Sequence, residues 1–261
     1  DGYKAQPYFH QINTKSPGLQ LVQDEPYIFL HPGFLSPDEC QQATSLFTLS
    51  SSTGSSATYE SQSKVRTSTT VMYPIGDEPP LLSALRERIA KLARVSTDQL
   101  QATKISCYEK GQFFGKHRDD ITHRFKDPWM ERLVEGKVPA QQLTASRECG
   151  LPDRFCTVWI YLNDVNEGGC TRFHSSDPRD ELYGKALPQM GKVLGKDVPG
   201  VPKTRSKAKD LLIKPKAGMA VVHFPTTTRE YMCLRDLVAM HESEVAVDPK
   251  YILQQFMYSE P

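Results

Sequence analysis

The sequence has few cysteines and no long apolar run. Six cysteines in 261 residues, with no C-x-x-C pair, are too sparse for a disulfide scaffold and argue against a structural zinc site. Cys149 and Cys156 could close a small loop in an oxidising compartment, but free thiols are the simpler expectation. No run reaches the roughly 18–20 apolar residues of a spanning helix, and the N-terminus lacks a signal peptide's apolar stretch. We therefore expect no membrane partner, and the sequence indicates no compartment.

An excess of charge of one sign is also lacking, since 32 basic and 31 acidic side chains leave a net charge of +1. This balance favours no polyanionic partner. Only the segment from Lys185 to Lys216 is strongly basic, with nine Lys or Arg against two acidic residues. These cations do not alternate with aromatic residues, so no nucleic-acid partner is expected. A solvated loop is the simpler interpretation of this segment, and closure over an acidic or peptide substrate is the alternative.

Composition and length favour a single large globular domain. Hydrophobic residues make up 38% and charged residues 24% of the chain, as in globular proteins generally. Residues 1–26 are polar with scattered aromatics and are predicted to form an arm, so that regular structure starts near Tyr27. Residues 27–261 are predicted to form the domain. Long insertions are expected near residues 120–153 and 174–210, since loops of this length are usually functional or flexible.

Helix signals precede strand signals along the chain. Ser36 at an N-cap, Pro37 at the first position and Glu39 at the third predict one helix, and apolar spacing after Pro79-Pro80 predicts a second. The Ser- and Thr-rich residues 50–63 are expected to form a loop. Strands are predicted at residues 65–73, 105–108, 155–162, 218–224 and 251–258. This order favours an α+β domain, with helices packed on one sheet of a β-sandwich or barrel.

A candidate metal site begins at His117-Arg118-Asp119. In an extended segment, residues two apart point to the same side, so His117 and Asp119 can reach one cation. Two histidines and one carboxylate with open positions are typical of non-haem ferrous oxygenases, and the pattern therefore requires a distant second histidine. His241, in the loop before the last strand, fits best. His223, on the preceding strand, is the rival and could instead project towards a substrate.

At this point the chain resembles the 2-oxoglutarate-dependent prolyl 4-hydroxylase family. Six blocks occur in the family's order and together span about residues 27–258. They are Phe34-Leu35-Ser36-Pro37-Asp38-Glu39-Cys40, Val65-Arg66-Thr67-Ser68-Thr69, Tyr108-x-x-Gly111-Gln112 leading to His117-x-Asp119, Tyr161-Leu162-Asn163, Gly168-Gly169-x-Thr171-x-Phe173, and Gly218 before an apolar run. The resemblance implies a double-stranded β-helix, or jelly-roll, core with the helices packed on one sheet.

The resemblance also implies a cofactor set and roles for individual residues. Fe(II), 2-oxoglutarate and O2 are expected, with ascorbate as a further candidate, and a monomer or homodimer is expected. His117, Asp119 and His241 would bind the metal, while Tyr108, Tyr161, Thr171 and Lys250 would bind 2-oxoglutarate. Arg66 and His223 would lie near the substrate. Lys250 stands nine residues after His241, where the family pattern has ten, so a one-residue deletion must be assumed.

The substrate is the least determined part of this interpretation. Phe114 replaces a tyrosine, and His223 a tryptophan, that prolyl hydroxylases carry near the substrate. A hydroxylase of a proline-containing peptide or protein is our first expectation, and hydroxylation of a free amino acid or small metabolite is the alternative. A catalytically silent binding module on the same fold is a third possibility, disfavoured because three polar groups kept in a pocket are costly without a metal.

Overall fold

The structure is a computed structural model, which contains two α-helices and fourteen strands within the residues that it describes. The described residues are 12–24, 27–53, 57–62, 64–119, 132, 134–137, 147–148, 151–152, 154–175, 185, 189, 192, 209–225 and 240–258. Most of both predicted insertions, and most of the basic segment, therefore lie outside the described residues. None of the described helices is long and apolar enough to span a bilayer.

Both predicted helices form where the sequence places their starts. The first, α1, runs Pro37–Thr53 and the second, α2, runs Pro80–Ala93. Before α1, the Glu39 N–H donates to Ser36 Oγ at 3.2 Å and the Ser36 N–H donates to Glu39 Oε2 at 2.8 Å, which confirms the predicted capping box. A 3-10 turn, Thr97–Gln99, follows α2.

The strands form one large and one small antiparallel sheet. In chain order they are β1 Gln20–Asp24, β2 Tyr27–His31, β3 Ala57–Gln62, β4 Thr67–Tyr73, β5 Thr103–Tyr108, β6 Phe114–His117, β7 Arg147–Glu148, β8 Leu151–Pro152, β9 Arg154–Tyr161, β10 Thr171–Phe173, β11 Leu211–Ile213, β12 Ala220–His223, β13 His241–Ser243 and β14 Lys250–Tyr258. The major sheet has the order β1-β2-β12-β9-β14-β5-β4-β3, and the minor sheet has the order β11-β10-β13-β6. Strands β7 and β8 pair separately.

Two apolar layers cover the two faces of the major sheet. On β9, Cys156, Val158 and Ile160 join the core that contains the buried face of α2, whereas Trp159 and Tyr161 join a second core with residues of the minor sheet. This alternation follows from the two-residue period of a strand. The helices therefore pack on the outer face of the major sheet, and the two sheets enclose the second core. This arrangement is consistent with the predicted α+β domain.

Three local predictions need correction. Residues 50–63 do not form a loop, because α1 continues to Thr53 and β3 follows. Near the end of α1, serine hydroxyls such as that of Ser52 donate to carbonyls of the preceding turn, so serines are compatible with the last turn of the helix. Regular structure begins before Tyr27, because β1 pairs with β2 and Ile12 is buried in the core. Cys156 is a buried free thiol, so it forms no disulfide with Cys149, which lies outside the described residues.

Candidate metal and cosubstrate site

His117, Asp119 and His241 meet where β6 pairs with β13. His117 ends β6, His241 begins β13, and the two residues are direct partners in the ladder. Asp119 follows β6 by two residues, so its carboxylate lies between the two rings. Nε2 of His117 lies 3.7 Å from Asp119 Oδ1, and Nε2 of His241 lies 3.8 Å from Asp119 Oδ2. One donor atom from each residue lies within 4.8 Å of the others, which is compact enough for one cation.

The protonation states of this cluster suit metal binding. Burial lowers the pKa of His117, which favours the neutral imidazole that a metal requires. Burial opposes ionisation of Asp119, but the imidazoles of His241, His223 and His117 outweigh it and lower the pKa of Asp119 below its usual value. His117 Nδ1 lies 2.8 Å from the carbonyl oxygen of Gly115. Donation from Nδ1 to that carbonyl leaves Nε2 as the free ligand atom.

Aromatic rings pack against both candidate imidazole ligands. Phe114 stacks on His117, with ring centroids 3.5 Å apart and an interplanar angle of 9°. Trp159 stacks on His241, at 5.6 Å and 14°, and Phe173 also contacts His241. These rings fix the orientation of the imidazoles and limit the access of water on the side of the second core.

His223 contacts the carboxylate of a candidate metal ligand. Its side chain is fully buried, and its Nε2 lies 3.0 Å from Asp119 Oδ2. Neither of its ring nitrogens joins the compact donor group of the other three residues. A contact between His223 and the substrate stays a prediction. β12 lies within the major sheet and directs this side chain into the second core beneath Asp119. Its observed partner is a candidate metal ligand.

A narrow cavity that opens to solvent lies between the sheets beside the candidate metal ligands, and the empty space that it encloses together with the adjoining solvent is about 320 Å³. It is lined by Tyr108, Phe114, His117, Trp159, Thr171, His241, Ser243, Lys250, Ile252 and Gln254. Lys250 begins β14 opposite Tyr108 and is only 1% exposed. Despite the short spacing from His241, its ammonium reaches the cavity. There Nζ donates to Ser243 Oγ and, at 2.8 Å, to the carbonyl oxygen of Gly169.

The Lys250 ammonium has no carboxylate partner among the described residues. Burial lowers the pKa of Lys250 to about 7, and the nearby Cys170 and Glu244 offset this only in part. A buried ammonium without a counter-ion is costly. An anionic ligand in the cavity would supply that counter-ion, so the residues present fit a carboxylate-bearing cosubstrate held between Lys250 and a metal ion.

The other predicted cosubstrate residues line or adjoin this cavity. The Tyr161 hydroxyl donates to Thr171 Oγ1 at 2.7 Å, and burial raises the pKa of Tyr161, so its proton is retained. The Tyr108 ring lies 4.7 Å from Lys250 Nζ. Tyr161 itself is not a lining residue, and its hydroxyl would act through Thr171. The three predicted cosubstrate residues that line the cavity are Thr171, Tyr108 and Lys250.

Arg66 lies beside the metal cluster and not at an exposed sheet edge. It precedes β4, which pairs with β3 on one side and β5 on the other. Its guanidinium carbon lies 4.8 Å from the centre of the Phe114 ring. Nε donates to Ser68 Oγ at 2.8 Å, and Nη2 donates to Thr70 Oγ1 at 3.0 Å. These bonds hold the cation next to the ring that covers His117.

The cavity also contains three residues that the sequence motifs did not predict, Ser243, Trp159 and Gln254. Ser243 stands two residues after His241 on β13, and Trp159 two residues before Tyr161 on β9. The two-residue period of a strand was therefore a usable signal for both. Gln254 follows Lys250 by four residues on β14 and shares its face for the same reason.

Comparison with known proteins finds similarity to prolyl hydroxylases. No family model matches the chain. It is 27% identical over 228 residues to probable prolyl 4-hydroxylase 3 of Arabidopsis thaliana, an alignment that covers 82% of this chain and 67% of that protein. With probable prolyl 4-hydroxylase 8 of the same plant, it shares 26% identity over 211 residues, covering 77% and 63%. The chain thus spans roughly two thirds of the length of these relatives.

Solved structures of prolyl hydroxylases share the fold. The 2-oxoglutarate complex of the viral collagen prolyl hydroxylase of Paramecium bursaria Chlorella virus-1 gives a TM-score of 0.52 at 16% identity, covering 90% of this chain and 97% of that one. A Trichoplax adhaerens prolyl hydroxylase bound to a hypoxia-inducible-factor peptide gives 0.50 at 14% identity, covering 89% and 83%. The predicted resemblance to prolyl 4-hydroxylases is confirmed, and these relatives and neighbours are enzymes, as expected.

Proposed function

We propose that this chain, which resembles prolyl 4-hydroxylases in sequence and shares their fold, is an Fe(II)- and 2-oxoglutarate-dependent dioxygenase that hydroxylates a proline-containing peptide or protein. One observation carries the proposal. A single cavity is lined by the imidazoles of His117 and His241, which group with the Asp119 carboxylate, and by the buried Lys250 ammonium, which has no carboxylate partner among the described residues. The two-sheet architecture also supports the double-stranded β-helix assignment.

The roles of the residues follow from their contacts. His117, Asp119 and His241 would hold Fe(II) and leave coordination positions open for other ligands. Lys250 would bind the far carboxylate of 2-oxoglutarate by a charge-assisted hydrogen bond. The Thr171 hydroxyl, which is oriented by the Tyr161 hydroxyl, would form a further hydrogen bond with 2-oxoglutarate. Ser243 already accepts from Lys250 and so fixes the direction of the ammonium.

Bound Fe(II) and 2-oxoglutarate, with O2, supply the oxidative decarboxylation that yields succinate, carbon dioxide and the hydroxylated product. The chain itself supplies binding, orientation and the exclusion of water. Phe114, Trp159 and Phe173 pack around the imidazoles, and Arg66 is the proposed contact for a polar group of the substrate. Ascorbate, a monomeric or dimeric state and residues 27–261 as a single catalytic domain stay predictions.

A free amino acid or small metabolite is the second candidate substrate. Phe114 offers no hydroxyl to a peptide, and His223, where prolyl hydroxylases tend to carry a tryptophan, bonds to Asp119. A non-heme alpha-ketoglutarate-dependent epimerase, SnoN from nogalamycin biosynthesis, also has this fold, with a TM-score of 0.50 over 90% of this chain. The fold alone therefore does not select a peptide substrate.

The decisive experiment measures succinate release from 2-oxoglutarate by Fe(II)-loaded protein. Proline-rich peptides and free proline are compared, and mass spectrometry detects the added oxygen atom. Asp119→Ala is expected to abolish turnover and metal binding, whereas Asp77→Ala, which removes an exposed carboxylate after β4, preserves both. No succinate with any substrate, together with unchanged metal affinity in Asp119→Ala, would show that this assignment is wrong and favour a silent binding module.

A further inference from the structure

Three cationic side chains from three parts of the major sheet lie around the candidate metal cluster. Arg66 covers Phe114, the ring stacked on His117. Nη1 of Arg154, at the start of β9, donates to the carbonyl oxygen of Asp119 at 3.1 Å. Lys104 lies on β5, and its Nζ is 5.3 Å from the centre of the Phe256 ring. The guanidinium carbon of Arg154 is 4.0 Å from the same ring, so Lys104 and Arg154 are neighbours.

A chain of hydrogen bonds links Arg66 to the cavity. Arg66 Nη2 donates to Ser106 Oγ at 3.2 Å, and Ser106 Oγ donates to Gln254 Oε1 at 3.5 Å. Gln254 lines the cavity and pairs with Lys104 across the β5 and β14 ladder. Lys104 also lies close enough to Arg66, Arg154 and Asp119 for their charges to act on it. We call these three cations, Arg66, Lys104 and Arg154, the cationic shelf. All three side chains are partly accessible to solvent.

The positive charges of the cationic shelf act on one another. Lys104 forms no salt bridge within the described part of the chain. Burial lowers the pKa of Lys104, Arg154 and Arg66 lower it further, and Asp119 is the acidic group that opposes them. In the proposed enzyme the Asp119 carboxylate is committed to the metal. Cations held close together repel one another, and an anion from outside would offset that repulsion.

We propose that the cationic shelf receives a carboxylate of the substrate, so that the hydroxylated molecule carries a negative charge close to its target carbon. This inference rests on the proposed function, which defines the reaction. Binding of the carboxylate to the cationic shelf does not require turnover, so it can be measured separately. An aspartate or glutamate near a target proline in a peptide would supply the group, and so would the α-carboxylate of a free amino acid. Charge-assisted bonds from Arg66, Lys104 and Arg154 would then orient the target towards the metal side of the cavity.

The test measures binding with redox-inert Mn(II) and saturating 2-oxoglutarate, so that no turnover is needed. Fluorescent peptides in which proline is flanked by Asp, Asn or Lys are compared by anisotropy at low and high salt. We expect the Asp peptide to bind about tenfold more tightly than the Asn peptide, with the preference shrinking at high salt. Competition by free proline against prolinamide separates an α-carboxylate from an acidic side chain as the source.

Variants of Lys104 make the test specific. Lys104→Gln should remove most of the preference for the Asp peptide, Lys104→Arg should retain it, and Lys104→Glu should reverse it towards the Lys peptide. Because Lys104 lies beside two other cations, its neutralisation relieves repulsion and should not unfold the protein. Lys91→Gln, which removes an exposed charge from α2, is the matched control and should leave the preference intact.

Succinate release under Fe(II), measured in parallel, separates the two proposals. Equal affinities for the Asp and Asn peptides and for proline and prolinamide would overturn the carboxylate assignment, whatever the turnover. If succinate were released in that case, the proposed dioxygenase reaction would still be supported. Preference for the Asp peptide that depends on Lys104, without succinate under any condition, would support the cationic shelf and overturn the proposed reaction.

Discussion

His223 Nε2 lies 3.0 Å from Asp119 Oδ2, and His223 is fully buried. The bond occupies one oxygen of the carboxylate. Asp119 Oδ1, which faces His117 at 3.7 Å, is left for a metal ion. His223 therefore acts as a positioning residue for a candidate ligand, in the way that hydrogen-bonded outer groups orient metal ligands elsewhere.

Replacement of His223 should weaken metal binding, because Asp119 loses the hydrogen-bond partner that orients its carboxylate. We expect His223→Leu to lower Co(II) affinity by roughly 10–100-fold and to alter the visible absorption of bound Co(II). His223→Gln, whose amide can still donate, should lose less. Thermal melts of the metal-free variants provide the folding control. Equal Co(II) affinity and an equal spectrum in His223→Leu and the parent chain would contradict this role.

Lys250→Met tests the carboxylate anchor. The substitution keeps the apolar stem but removes the ammonium that donates to Ser243 and Gly169. Loss of a buried charged partner costs about 2–5 kcal/mol in binding, so 2-oxoglutarate affinity should fall by roughly 30-fold or more. Mn(II) affinity should change little, and Lys91→Met serves as the control. Unchanged 2-oxoglutarate affinity in Lys250→Met would assign the anchor to another residue.

The same ammonium predicts a pH dependence. Burial lowers the pKa of Lys250 to about 7 in the folded chain, whereas an unfolded lysine has a pKa of about 10.4. Between these values the unfolded chain binds the extra proton, so this residue makes the metal-free protein more stable as the pH rises from 7 towards 10. The carboxylate of 2-oxoglutarate favours the charged amine, so its affinity should fall over the same range.

Two measurements check that pH dependence. Thermal melts from pH 7 to 9 should show a stability gain in the parent chain that is smaller in Lys250→Met, in which the group is absent. Titrations of 2-oxoglutarate at pH 6.5 and 8.5, with Mn(II) present, should show affinity falling by about tenfold or more. Identical pH profiles for the two proteins would show that Lys250 does not titrate in this range.

Local sequence signals were sufficient for the pair His117 and Asp119 and for both helices. His117 and Asp119 share a side because they stand two residues apart, and the capping box at Ser36 and Glu39 determines the start of α1. Such signals act within a few residues, so they survive in a single sequence. The assignment of His241 needed the resemblance as well, because its partner strand lies more than a hundred residues away.

Long-range pairing explains what the sequence did not reveal. Strand β3 exists because β4 offers a complete ladder of partners, although its residues have weak strand signals. The inward orientation of His223 depends on the neighbours of β12 within the major sheet. The burial of Lys250, and with it the altered pKa, depends on the packing of the two sheets. None of these features is encoded within a few residues of the position concerned.

Tyr161→Phe tests the hydroxyl behind the cavity wall. The Tyr161 hydroxyl donates to Thr171 Oγ1 at 2.7 Å in a buried setting. Its loss should leave Thr171 free to rotate and weaken 2-oxoglutarate binding by about fivefold, as for a single neutral hydrogen bond. The fold should be kept, since the ring remains. If Thr171→Val weakens binding and Tyr161→Phe does not, Thr171 acts without help from Tyr161.

Gly218 determines how the chain enters β12, the strand that carries His223. It has φ of +76°, and an added Cβ would lie 2.2 Å from the carbonyl oxygen of Leu35. Its own N–H donates to the Tyr161 carbonyl at 2.8 Å, and its carbonyl accepts from the Leu35 N–H at 3.1 Å. These bonds fix the backbone on both sides, so the clash cannot be relieved by a small local shift.

Gly33 supplies the matched control for this position, because it has φ of +65° and an added Cβ would meet no other atom within 4 Å. Gly33→Ala should therefore cost only the backbone strain, about 1–2 kcal/mol. Gly218→Ala should cost distinctly more and should lower both the melting temperature and the Co(II) affinity, since displacement of β12 moves His223 away from Asp119. Equal melting temperatures for the two variants would show that the turn before β12 adapts, and that the close approach to Leu35 does not hold the site in place.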